Sequence, residues 1–137
     1  MGQTEFDQLL EQLKEGAAKG LPKALGVNFT KMEKGYVEAE IAIMEQHTNI
    51  YGIVHGGTLY TLADTASGFA TRTYGVRVVT TNGSMNYLAA GKDTSKIVCH
   101  ARVVKCGRSI AVVSAEVFDD KEKLLANASF TFCVLDQ

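Results

Sequence analysis

Residues 49 to 68 read NIYGIVHGGTLYTLADTASG. A glycine pair follows a histidine, a run with helical spacing begins there, and Asp64 stands inside its apolar stretch. Aspartate is a mediocre helix former and expensive to bury without a partner. Asp64 is therefore either a polar residue on a solvated face or a group placed for chemistry. The first N–H groups of a helix lack intrahelical acceptors and carry partial positive charge. With glycine there, nothing shields them and a ligand oxygen can approach closely. His55, Gly56 and Gly57 at a helix start thus make a hole for a carbonyl oxygen gaining negative charge, a donor typically worth about 10²–10³ in rate. Asp64 follows Gly56 by eight residues, ~12 Å along the same helix. One carbonyl carbon does not touch both ends of that span. Two such helices running antiparallel about a two-fold axis would set Gly56 of one chain beside Asp64 of the other. If both groups serve one reaction, the active site is shared between subunits.

The elements that must hold these residues are legible from periodicity. The 137 residues suit a single domain, 1–137, with no repeat or linker to divide it. Phe6, Leu9, Leu10 and Leu13 recur at helical spacing and predict an amphipathic helix over 4–19, with Thr4 as its cap and Pro22 in the connection that follows. Residues 25–33 and 36–43 predict two strands joined by KMEKG. In the second strand Val37, Ala39, Ile41 and Ile43 face one way and Glu38 and Glu40 the other. From Gly56 to about Tyr74 the period is helical, with Leu59, Leu62, Ala63, Ala66 and Ala70 as one stripe and Gly75 as the stop. Four strands follow, over 77–89, 95–107, 108–119 and 123–135, with turns at Cys106-Gly107 and 119–122. Strands grouped around one long helix argue an α+β fold with a mostly antiparallel, strongly curved sheet wrapped around that helix. The sheet's other face needs cover that the N-terminal helix only partly supplies, so self-association is expected.

Composition excludes several function classes. A net charge of -1 with scattered Lys and Arg gives no footprint for nucleic acid or an anionic membrane surface. No apolar run approaches the ~20 residues that span a bilayer. Cys99, Cys106 and Cys133 fit no metal template, and the chain start has no secretory apolar region, so a reducing cytoplasm is the expected home. His47 and His100 have no metal-spaced partner and are expected at the surface or an interface. Thr61 and Ser67 stand three residues either side of Asp64 and share its helix face. They either hydrogen-bond it, line a pocket, or are plain helix polars.

Asn49, His55-Gly56-Gly57 and Leu62-Ala63-Asp64, with Ala66 following, resemble the signature of the hotdog-fold acyl-CoA thioesterases. The likeness is to the branch named for the phenylacetic-acid-degradation protein PaaI, which includes the human thioesterase superfamily member 2 type. The element order matches over essentially the whole chain, and GRSIAVVSAEVFD and KLLANASFTF resemble the family's last two strands. The resemblance implies hydrolysis of an aromatic or medium-chain acyl-CoA thioester by a homodimer or homotetramer. It implies that the Gly56 N–H and His55 polarise the thioester carbonyl, with Gly57 beside the substrate. Asp64 of the neighbouring subunit acts as general base or nucleophile, and Asn49 orients the water or the carboxylate. Asn49 is equally a common turn residue. No metal or prosthetic group is implied, coenzyme A being part of the substrate.

The family often has a small hydroxyl residue early in the strand after the helix. Matching on Met85-Asn86 puts Asn82 there, with Thr81 or Ser84 as substitutes if the strand bulges at Gly83. By the same resemblance the turn holding Gly107, Arg108 and Ser109 lies near the nucleotide end of coenzyme A, although a solvated hairpin reads the same way. Two competing functions remain in view: a hotdog dehydratase or hydratase, and a non-catalytic acyl-CoA-binding protein.

Overall fold

A computed structural model describes residues 1–136. Helix α1 spans Gln3–Ala17 and a short α2 spans Gly20–Leu25. Strands β1 (Val27–Glu33) and β2 (Tyr36–Ala42) lead through a 3-10 turn at Glu45–His47 to helix α3, Gly56–Arg72. Strands β3 (Arg77–Tyr87), β4 (Lys96–Cys106), β5 (Ile110–Phe118) and β6 (Leu124–Asp136) complete the chain. The six strands form one sheet in the order β1-β2-β4-β5-β6-β3, every neighbouring pair antiparallel. This is the α+β arrangement expected, with one long helix lying across the sheet and touching all six strands.

Small side chains let that helix close onto the sheet. Leu59, Leu62, Ala63, Ala66 and Ala70 of α3 are buried. They face the inward positions of the strands, such as Val37, Ala39 and Ile41 on β2 and Ile97, Cys99 and Ala101 on β4. Two-residue alternation along each strand produces that inward face. Burial pushes the Cys99 thiol far above its usual range, as befits a cysteine used as a small core hydrophobe. The helix stops where expected: Gly75 adopts φ +83, and its N–H bonds the Arg72 carbonyl.

Three local expectations need correction. The N-terminal helix ends at Ala17 and a second helix contains Pro22, which sits in the first turn, where a missing N–H costs no helical bond. Thr4 lies inside α1, whose N-cap is Gly2 without a side-chain bond. The β1–β2 turn is tighter than KMEKG, with Lys31, Met32 and Glu33 inside the strand and only Lys34 and Gly35, at φ +78, making the reversal.

The sheet's edges differ in what they leave open. On β3, all eleven residues long, Arg77, Val79, Thr80, Thr81, Asn82, Ser84, Asn86 and Tyr87 are exposed, and its far side has no strand partner among the described residues. The outward face of β2, β4 and β5 is mixed in chemistry. His100 lies 3.3 Å from Glu38, and Tyr36 stacks beneath Arg102 at 4.5 Å.

Candidate active site

The start of α3 is built by the loop before it. His55 is the N-cap, and its Nδ1 accepts the Gly57 N–H at 2.7 Å. A neutral ring accepting at Nδ1 carries its proton on Nε2, so the exposed edge of His55 is a donor. The Gly57 N–H is consumed by this bond. The Gly56 N–H, first in the helix, has no acceptor among the described residues. Tyr87 closes in from β3: its hydroxyl donates to the Gly56 carbonyl at 3.0 Å, and a Cβ on Gly56 would meet its ring at 3.3 Å. Gly56 opens into a groove of about 400 Å³, lined also by Asn49, Ile53, Leu59, Tyr87 and Leu88.

Asn49 shapes this groove through the backbone. Its Oδ1 accepts the N–H groups of Tyr51 at 2.9 Å and Ile53 at 3.3 Å, and Gly52 turns the chain with φ +76. Its turn role is therefore visible, while its side chain still lines the groove that holds Gly56.

His47, expected at the surface or an interface, is only 2% exposed. Its Nδ1 accepts the Met44 N–H at 2.9 Å, and its Nε2 donates to the Leu25 carbonyl at 2.7 Å. Its own carbonyl takes the His55 N–H at 2.9 Å and the Thr58 hydroxyl at 3.0 Å. One buried ring thus ties α2 and the 3-10 turn together, and the same residue's backbone anchors the first turn of α3. Nothing in the sequence pattern singled it out.

Asp64 presents a different environment. It is half-buried on α3, and the Thr80 hydroxyl donates to its Oδ1 at 2.7 Å. Burial raises its pKa above the ordinary carboxylate value; the Thr80 bond opposes this without cancelling it. Asp64 and Thr80 border a groove of about 390 Å³ with Phe69 and Phe132 among its walls. Gly56 and Asp64 therefore sit on one helix but open into two different grooves of the protomer.

The hydroxyl that meets Asp64 is not where sequence matching put it. Thr80 pairs with Phe132 and Asn82 with Thr131, so Thr81 is the extra residue of a bulge. The bulge falls at Thr81, not Gly83, and turns Thr80 toward α3. Asn82 and Ser84 are exposed, and Thr81 bonds the Thr131 carbonyl at 3.1 Å. Thr61 is partly buried and makes no bond to Asp64. Ser67 is fully buried in the core, with its Oγ unpartnered among the described residues, so it lines no open pocket. Gly107, Arg108 and Ser109 form the β4–β5 turn; Gly107 and Arg108 border a groove with Tyr74, Gly75 and Val76, beyond the C-terminal end of α3. Among the described residues, no three of His, Cys, Asp or Glu stand together as a metal set, and no helix is long and apolar enough to cross a membrane.

Residues 51–126 match the model of a known family, described as the thioesterase superfamily. The chain belongs to the thioesterase superfamily. It is a thioester hydrolase with the hotdog fold of the PaaI type. Human acyl-coenzyme A thioesterase 13 is 30% identical to it over 118 residues, covering 83% of this chain and 84% of its own. A hypothetical thioesterase protein from Streptococcus pneumoniae, solved with coenzyme A, superposes with TM-score 0.82 at 28% identity, covering 93% of this chain and 98% of that one. The Escherichia coli PaaI protein of the phenylacetic acid degradation operon shares the fold, with TM-score 0.85 at 24% identity over 96% of this chain and 94% of that one.

Proposed function

We propose that this thioesterase hydrolyses acyl-CoA at a site completed by a second copy of the chain, with Asp64 of one copy facing Gly56 and His55 of the other. The observation that carries this is the separation within one protomer. The carboxylate and the unspent helix N–H are eight residues apart on α3 and open into different grooves. The unpaired edge of β3 supplies a way to join two copies. A long exposed edge is a template for another strand, and pairing β3 with its symmetry mate would run the two α3 helices antiparallel. A homodimer is the smallest assembly with complete sites, and a homotetramer would repeat it.

The chemistry follows from the groups present. Thr80 occupies Oδ1 of Asp64, leaving Oδ2 to take a proton from water. The water oxygen bonds to the thioester carbon, and the carbonyl oxygen gains a negative charge. The Gly56 N–H and the His55 Nε2–H of the other copy hold that charge. Collapse breaks the carbon–sulfur bond, and the thiolate of coenzyme A leaves with the proton that Asp64 took. Direct attack by Asp64 through an anhydride uses the same groups. Asn49, bordering the Gly56 groove, fixes the loop that aims the N–H. Two pieces of external support bear on the acid and its partner. The Streptococcus pneumoniae protein was also solved with an aspartate replaced by alanine and with a threonine replaced by alanine. The interval between those two positions is sixteen residues, the same as from Asp64 to Thr80. The aromatic walls Phe69 and Phe132 suit an aromatic or medium-chain acyl group.

The test is thiol release from a panel of aromatic and aliphatic acyl-CoAs, with wild type and Asp64→Asn side by side. Release by wild type alone supports the reading. A 2-enoyl thioester as product would make the protein a dehydratase, and binding without turnover would make it an acyl-CoA-binding protein. Sharing of the site is tested by mixing. Asp64→Asn and Gly56→Val protomers, each inactive, should recover activity when refolded together; no recovery overturns the two-copy site.

A further inference from the structure

The groove that begins at Asp64 changes character along its length. With Asp64 and Thr80 it is walled by the apolar side chains Phe69, Val78, Val79 and Phe132. Its other end holds Arg72 at the last turn of α3 and Lys19 at the junction of α1 and α2. Among the described residues lining it, Asp64 is the one acid. Arg72 stands eight residues beyond Asp64, ~12 Å along the helix. Its guanidinium is parked over the Phe69 ring at 5.0 Å. Among the described residues, nothing accepts a hydrogen bond from Arg72 or Lys19 and no carboxylate pairs with either.

An acid that works on a carbonyl, a run of apolar walls, then two cations with no carboxylate partner is the negative image of one ligand shape. We infer that the groove reads the far end of the acyl group, and that Arg72, assisted by Lys19, selects acyl-CoAs whose acyl chain ends in a carboxylate. The inference rests on the acyl-CoA thioesterase reading and deepens it. The Phe69 ring, 5.0 Å from the guanidinium carbon, takes none of its N–H groups, which leaves the N–H fork available for a carboxylate. Lys19 lies on the exposed α1–α2 junction and adds charge at the mouth. A phosphate of coenzyme A offers the same anionic oxygens, and the experiment separates the two.

The probes are octanoyl-CoA and suberyl-CoA, which share a chain length and differ by the terminal carboxylate. Steady-state kinetics are measured with wild type, Arg72→Gln, Arg72→Lys and Lys19→Gln. Wild type should favour suberyl-CoA. In Arg72→Gln the ratio of kcat/KM for suberyl-CoA over octanoyl-CoA should fall about tenfold to a hundredfold, the loss of a hydrogen bond between charged groups. The change should appear in KM. Arg72→Lys should retain part of the preference, and Lys19→Gln, on an exposed site that does not threaten folding, should lower it by a smaller factor. Equal losses on both substrates would assign the cations to a coenzyme A phosphate and overturn the inference. A wild type that hydrolyses octanoyl-CoA as well as suberyl-CoA, or better, overturns it too and leaves the thioesterase reading standing. Hydrolysis of neither probe, nor of any acyl-CoA in the wider panel, overturns both.

Discussion

The two halves of the site are made of different materials. At Gly56 the working groups are a backbone N–H and the Nε2–H of the His55 ring that caps the helix, and the other side chains nearby are scaffolding: Asn49 folds the loop, His47 pins it and Tyr87 braces it. At Asp64 the working group is a side chain, and its tuning comes from one hydroxyl delivered by a bulged strand. A backbone site is aimed by its whole surroundings and has no acidity to adjust. A side-chain site depends on few neighbours and is adjusted through pKa. Variants at Gly56, Asn49, His47 or Tyr87 should therefore change rate or stability without moving the pH profile; variants at Asp64 or Thr80 should move it.

The largest effect should come from Asp64→Asn, a loss of about 10²–10⁴ in kcat, the usual worth of a positioned base. Because burial raises the Asp64 pKa in the fold, the protonated form is the one the fold favours. The stability this contributes is complete at low pH and lost as pH rises through the folded pKa. Asp64→Asn should therefore melt at or above the wild-type temperature at neutral pH, with the difference vanishing in acid; calorimetry at two pH values checks it. A lower melting temperature at neutral pH would break the contrast, making Asp64 a structural group.

Next in size is Gly56→Ala. Its Cβ would press on the Tyr87 ring at 3.3 Å, and an ångström-scale shift of the N–H costs about 10² in turnover, with the pH profile unmoved. His47→Ala strips two hydrogen bonds, to the Met44 N–H and the Leu25 carbonyl, and empties a buried position. We expect a loss of about 2–4 kcal/mol, about 10 °C in melting temperature, and a roughly tenfold fall in kcat from a loosened helix start. Thr80→Val removes the one bond that lowers the Asp64 pKa. The base works ionised, so the acid limb of kcat/KM should move to higher pH; a limb that stays in place would dissolve the distinction between the two halves. The smallest change is Tyr87→Phe, which forfeits an exposed bond to the Gly56 carbonyl and should alter kcat by about threefold or less.

The same contrast explains what the sequence made legible. Gly56 announces itself because glycine next to a helix start is a local signal. Asp64 does so because an acid in an apolar helical stripe breaks a local pattern. The strands and α3 were readable from period alone, since burial on one face writes alternation or a helical stripe directly into the chain. Thr80 was hidden by register. Counting inward positions back from Met85 and Gly83 points to Thr81, and the extra residue of the bulge moves the inward position by one. His47 was hidden because its partners, Leu25 and Met44, are backbone groups of segments with no motif. Helix α2 was missed because Pro22 reads as a breaker, although the first helical turn accepts it. Ser67 shares Asp64's spacing but faces the sheet, a distinction of some tens of degrees around a helix that spacing alone does not resolve.

The alanines that seat α3 on the sheet carry a consequence for how such a protein changes over generations. Ala63, Ala66 and Ala70 have no solvent exposure at all, and anything larger would lever the helix, and with it both Gly56 and Asp64, away from the sheet. That face of the helix is closed to innovation. Gly68, Phe69 and Arg72, which line the groove and do not aim the reacting groups, are open to it, together with Lys19 and Pro22 across the gap. A descendant acquiring a taste for a different acyl group can write the change at these positions of the groove. Its hydrolytic chemistry is inherited intact.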